Sequence, residues 1–276
     1  PVRVYELSSP QGPGSTPALP GVAPTAEGIR WAAQQGAKVI VVALSTSTDD
    51  PAMAAAVSEA HAAGALVVAS AGNRETAAEG DQGDGVRYPA GYPEVLGVTA
   101  STNLGEPSDA AIHGVHVDVA APGQGVLTSW FADGDCVISP EAPSSSFATA
   151  YAGGVAALVA AAFPQESPEM WKWRIESTAL RPSPGERNDD LGWGLVAPYD
   201  ALAVTPSAEL AGPPLPGGTP APAQAQVGRT PPLPSEDPVT LRAMTAMAVT
   251  GVGVLGAGLI WFRHRGRELF RRGRRG

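Results

Sequence analysis

The chain has 276 residues, enough for one medium domain with a large core, and a formal net charge of −9 from 18 basic and 27 acidic side chains. The charge is uneven: the last 14 residues, RHRGRELFRRGRRG, hold seven Arg and one Glu, leaving 11 basic and 26 acidic residues in the rest. An acidic body of this kind argues against nucleic-acid binding.

In chain order, the opening PVRVYEL reads as a strand, and TAEGIRWAAQQGA has helical spacing at Ile29, Ala32 and Ala33. KVIVVAL is a continuous apolar run, as in a parallel strand covered on both faces. DDPAMAAAVSEAHAAG offers Asp50 as N-cap, Pro51 at the first helical position and Gly64 past the end. ALVVAS and EVLGVTA are two further buried strands. The β-α-β-α-β order with short links predicts an α/β fold, a parallel sheet flanked by helices. SFATAYAGGVAALVAAAF, apolar almost all round, predicts a central buried helix, with Gly153 and Gly154 where another element packs close.

The globular part is expected to end near residue 204. Thr205 to Pro238 has ten prolines in 34 residues and reads as a stiff polyproline linker. Ala243 to Phe262 is 20 residues without a charge, long enough to cross a bilayer, so 239–262 is expected to be one transmembrane helix. Trp261 sits at its end, and the arginine-rich tail 263–276 follows, which sets the tail in the cytoplasm and the globular body outside. At the other end Pro1 opens the chain without a charged or apolar leader, as if in mid-domain, and Cys136 is the single cysteine. Both features lead us to expect a further N-terminal portion.

Two strand ends carry candidate chemistry, since sites in doubly wound sheets form beyond the carboxyl ends of the strands. In VVASAGNRE, Gly72 lets the chain turn sharply and leaves the Asn73 amide at the sheet edge; alone, this is a turn residue. In APSSSFATA, any of Ser144, Ser145 and Ser146 can cap the helix that follows, in the positive potential of its N-terminus. Alone, this is a cap.

Taken together, SAGN and SSSFATAYAGG resemble the AAGN and GTSxAxPxxAG blocks of the subtilisin-like serine proteases. GIRWAAQQGAKVI, YPAGYPEVLGVTAS, VDVAAPG and GWGLVAPYDAL support the resemblance in the same order, over nearly all of residues 1–204. It implies serine endopeptidase chemistry through an acyl-enzyme, with Ser146 as nucleophile and Asn73 in the oxyanion hole. It implies peptide-binding edges at Ala43, Leu44 and Ser45 and at Ala69, Ser70, Ala71 and Gly72. No cofactor or metal is implied, and the acidic loop Glu79–Gly85 reads as solvated. Body, linker, span and basic tail together resemble the mycosins, membrane-anchored proteases associated with type VII secretion. That resemblance implies a peptide or protein substrate, a plasma-membrane secretion complex as partner and an upstream partner for Cys136.

The sequence also departs from the family pattern. Its Asp and His blocks have no counterpart here, and His61, His113, His116 and His264 fall at positions the resemblance does not place beside Ser146. Ser144 stands for a Gly, Ala150 for a Pro, and Ser45 and Thr46 for the two glycines of a substrate-binding edge. The alternative expectation is therefore a catalytically inactive, protease-like structural component of a secretion complex.

Overall fold

The computed structural model describes residues 1–4, 21–129 and 134–217. The chain divides into a unit Pro1–Ala223 and a second unit Gln224–Gly276, and all described residues belong to the first. The expected transmembrane helix, the basic tail with His264 and most of the Pro-rich segment lie outside the described residues.

Four parallel strands form the sheet in the order β1 (Val39–Val42), β2 (Leu66–Ser70), β3 (Val95–Ser101) and β4 (Val119–Pro122). β2 is apolar from Leu66 to Ala69 because it is buried on both faces. Leu66 and Val68 enter one core with Val98, Val119 and Ile175, and Val67 and Ala69 enter the other with Ile29, Met53 and Val57. The second core lies under α1 (Val22–Gln34) and α2 (Pro51–Ala62), which pack on each other. α2 begins as its sequence dictates: Asp50 Oδ1 accepts from the N–H groups of Ala52 (2.8 Å) and Met53 (3.3 Å).

The first core lies under α3 (Ser145–Ala162), which crosses all four strands, with α4 (Pro168–Ser177) and α5 (Pro198–Ala203) beside it. Gly153 is the close approach: a Cβ there would lie 2.4 Å from Val41 Cγ2. A Cβ at Gly154 would meet open space, so only one of the two glycines has a packing reason.

α3 is not buried all round, contrary to its apolar pattern. Ala150, Tyr151, Gly154, Ala157, Leu158 and Ala161 form one exposed face, with Leu158 55% and Tyr151 45% accessible. A helix of 18 residues, most of them small or apolar, would suit full enclosure, but among the described residues nothing covers this side. Val41, 45% exposed, continues the apolar surface onto β1, the edge strand.

β5 (Val126–Ser129) and β6 (Asp135–Ile138) form a separate antiparallel hairpin that the sequence pattern did not announce; half-buried Cys136 lies on β6 as a free thiol. Residues 1–4 adopt no strand, and the rest of the expected opening strand lies outside the described residues. The first part of the Pro-rich segment rests on the body, where Trp173 Nε1 donates to the Pro213 carbonyl (3.0 Å) and Arg181 to that of Ala211 (3.0 Å).

Candidate active site

The carboxyl end of β2 meets the N-terminus of α3. Gly72 turns the chain at φ +102°, a conformation that favours glycine, and delivers Asn73 next to the helix. There Asn73 Oδ1 accepts from the Ser145 N–H at 2.8 Å. Asn73, 72 residues away in sequence, thus caps α3. Ser144 is the N-cap by position but makes no side-chain cap bond.

The three consecutive serines have different surroundings. Ser145 is fully buried, its hydroxyl 2.6 Å from that of Ser70, and Ser70 Oγ also accepts from the Gly72 N–H (3.2 Å). Ser144 and Ser146 are half-buried. Ser146 does not help cap the helix: its hydroxyl donates to the Ala43 carbonyl at 3.2 Å. Its N–H, in the first turn, has no intrahelical acceptor and no other among the described residues. The Asn73 Nδ2 group likewise has no acceptor among them. Two unengaged N–H donors therefore belong to the residues that line one cleft at the positive end of an 18-residue helix.

This cleft has a volume of about 470 Å³ and is walled by Ala43, Leu44, Ser45, Ser70, Asn73 and Ser146, with Tyr88 and Met53 on other sides. Ala69 and Ala71 are fully buried, Ala69 within the α1–α2 core, and Gly72 lies behind Ser45: a Cβ on it would be 3.0 Å from Ser45 Oγ. Thr46 has both backbone groups paired with Tyr88, at 2.9 and 2.7 Å. The Ala43 carbonyl accepts from the Ser146 hydroxyl, and the backbone groups of Ser45 are unpaired among the described residues. Ser146 also lines a larger trough, about 1250 Å³, running along the edge of β1 that no described strand pairs, with Pro1–Val4 and α1 as its other walls.

No histidine hydrogen-bonds Ser146 among the described residues. His61 Nε2 lies 2.8 Å from Glu169 Oε1, and His113 contacts Ser108 O (3.1 Å) and Asp190 (3.3 Å). His116 is buried, with Nε2 3.0 Å from Ala71 O. Burial, then the Arg87 charge, hold its pKa below the ordinary histidine value against the opposing bond to Ala71 and the Asp118 carboxylate.

The acidic loop Glu79–Gly85 is organised by two arginines. Arg87 donates to the carbonyls of Asp81 (2.7 Å), Gly83 (2.9 Å), Gly85 (3.1 Å) and Val86 (3.1 Å). Arg74 donates to Gln82 O (2.7 Å) and pairs with Asp84 (2.6 Å). The His113 N–H and then the Arg74 guanidinium hold the Asp84 pKa below its usual value despite some desolvation. Arg87 and His116 had no local signal in the sequence, because their partners are loop carbonyls and a strand end fixed only by folding.

With this geometry in place, comparison with known proteins is specific. Residues 16–194 match the subtilase family. A thermostable alkaline protease of Halalkalibacterium halodurans is 32% identical over 158 residues, covering 57% of this chain and 41% of that protein. Mycosin-1 of Mycobacterium tuberculosis is 32% identical over 284 residues, covering 91% of this chain and 60% of that protein. A chain in the structure of an intact ESX-5 inner membrane complex superposes with a TM-score of 0.61 at 27% identity, over 87% of this chain and 60% of its own length. The chain thus spans between 41% and 60% of the length of these relatives.

Proposed function

Because the chain belongs to the subtilase family, we propose that it is the nucleophile-bearing part of a mycosin-type serine endopeptidase linked to type VII secretion. The observation that carries the reading is the Asn73–Ser145 bond, which fixes the Asn73 amide beside a serine whose N–H is unengaged. In the proposed reaction Ser146 Oγ attacks a peptide carbonyl and forms an acyl-enzyme, with release of the amine. The Ser146 N–H and Asn73 Nδ2 stabilise the oxyanion, and water completes hydrolysis. The Ala43–Ser45 and Ser70–Gly72 segments hold the peptide backbone. A general base is required within hydrogen-bond reach of Ser146. In this proposal its place is the trough along β1, which Ser146 borders.

We assign the body to residues 1–204, a linker to 205–238, a membrane anchor to 239–262 and a cytoplasmic tail to 263–276. The body stands outside the plasma membrane, with a type VII secretion membrane complex as partner. Support comes from the charge pattern and from the match to Mycosin-1, which covers more of the chain than the body alone contains.

The competing reading is a catalytically inactive component of such a complex. It is favoured by the hydroxyl of Ser146 resting on a carbonyl rather than on a base, and by the Ser45 side chain over Gly72. Fluorophosphonate labelling of the protein in its native membrane, with the modified residue mapped by mass spectrometry, decides between them. We expect label on Ser146 and none on Ser145. A folded, membrane-resident protein that stays unlabelled is the inactive component.

A further inference from the structure

The turn that carries Asn73 is gripped at both ends of one peptide unit. The peptide plane between Ala71 and Gly72 offers the Ala71 carbonyl on one side and the Gly72 N–H on the other. Ser70 Oγ takes the N–H at 3.2 Å and is itself tied to Ser145 Oγ at 2.6 Å. The carbonyl is met by His116 Nε2 at 3.0 Å, from 45 residues away. The neighbouring groups are committed elsewhere: the Ala71 N–H donates to Val98 O (2.8 Å), and the Gly72 carbonyl accepts from the Ile112 N–H (3.2 Å). His116 is thus the one partner of the Ala71 carbonyl among the described residues.

We propose that His116 is a positioning residue for the Asn73 amide. It acts by clamping the Ala71–Gly72 peptide plane, so that the turn presents Asn73 to both the Ser145 N–H and the cleft. The inference rests on the peptidase reading for its catalytic consequence, but the clamp itself does not. Gly72 is the reason a clamp matters: glycine rotates freely, so a plane released at the Ala71 end can turn and carry Asn73 away.

The chemistry of the contact fixes the histidine's state. A carbonyl only accepts, so Nε2 carries the proton and Nδ1 keeps its lone pair. Nδ1 is buried without a partner among the described residues, in a side chain 3% exposed. The charged groups facing it are Arg87, Arg187 and Asp118. Burial first, then the two nearby guanidinium groups, disfavour the charged form of the ring against the opposing Ala71 bond and Asp118. A buried ring nitrogen left unpaired is a cost that a purely structural position would shed, since an apolar residue fills space without it. What the imidazole provides instead is one rigid N–H donor aimed at Ala71.

The test compares His116→Gln, which keeps an N–H donor near the place of Nε2, with His116→Leu, which has none, in the full membrane-bound chain. The rate of fluorophosphonate labelling is read at a temperature where both variants are folded. We expect His116→Leu to slow labelling by about tenfold or more and His116→Gln to recover most of that loss. Equal rates in the two variants, whether both slow or both unchanged, overturn the proposal. Should the parent chain itself fail to label, the peptidase reading falls and the clamp is still read by NMR. In histidine-labelled protein His116 should show the Nε2–H tautomer, and the Asn73 side-chain amide should shift in His116→Leu but much less in His116→Gln. An Asn73 signal that ignores both variants overturns the clamp regardless of activity.

Discussion

The Asn73 side-chain oxygen accepts the Ser145 N–H at 2.8 Å, so one amide both caps α3 and leaves its NH₂ group over the cleft. The two functions are separable by substitution. Asn73→Asp keeps the acceptor and adds negative charge at a helix N-terminus, so stability should hold near neutral pH. It removes the donor, so labelling of Ser146 should fall about tenfold or more, the factor carried by roughly 1.4 kcal/mol. Asn73→Ala removes both and should also cost ~1 kcal/mol in a denaturant melt. A variant that lost the cap without losing stability would show that Asn73 does not hold the helix.

The glycine pair in α3 makes opposite predictions one residue apart. Gly153→Ala drives a methyl group to 2.4 Å from Val41 Cγ2 and should destabilise by about 1–3 kcal/mol. Gly154→Ala enters open space on the exposed face and should stabilise by up to ~1 kcal/mol, through helix propensity alone. Thermal melts of the two variants read the contrast directly.

A largely buried ion cluster at the opposite end of the sheet makes stability depend on pH. Lys172 Nζ lies 2.9 Å from Asp118 Oδ2 and 3.7 Å from Glu176 Oε1, and donates to the carbonyls of Val95 (2.6 Å) and Pro93 (3.0 Å). Burial opposes the Lys172 charge, but Asp118 and then Glu176 outweigh it and raise its pKa. One ammonium serves two carboxylates. Burial first, and the Asp118 charge second, push the Glu176 pKa up to about 8. The folded state therefore holds a proton that the unfolded chain releases near 4.5. Stability should fall as pH rises from about 4.5 to 8 and level off above, by an amount of the order of a few kcal/mol. Glu176→Gln should flatten that decline and be the more stable protein at pH 9. An unchanged pH dependence in the variant would assign the titration to another group.

The exposed apolar face of α3 predicts the behaviour of the isolated body. Residues 1–204 expressed alone should associate through Tyr151, Leu158 and Val41 and through the open edge of β1. Leu158→Glu should raise the soluble fraction. A monomeric 1–204 fragment with a sharp, cooperative melt would refute this expectation.

The sequence by itself determined three strands of the parallel sheet, β1 to β3, and the places of α1, α2 and α3. Continuous apolar runs such as Leu66–Ala69 are stable only when covered on both faces, and Asp50, Pro51 and Gly64 bound α2 by local backbone chemistry alone. It also picked out Ser146 and Asn73, but only through their resemblance to a family; on local chemistry each was a cap or a turn residue. Tertiary structure decided which serine is open and which is buried, because Ser145 is sealed by Ser70 from another strand end. It made Asn73 rather than any serine the cap of α3, and it left one side of that helix uncovered where the apolar pattern implied enclosure. It also brought His116 to the Ala71 carbonyl and wrapped the acidic loop around Arg87. These contacts join residues far apart in the chain or depend on where loop carbonyls point. A periodicity of two or 3.6 residues reports which face of an element is apolar, not what the fold will set against it.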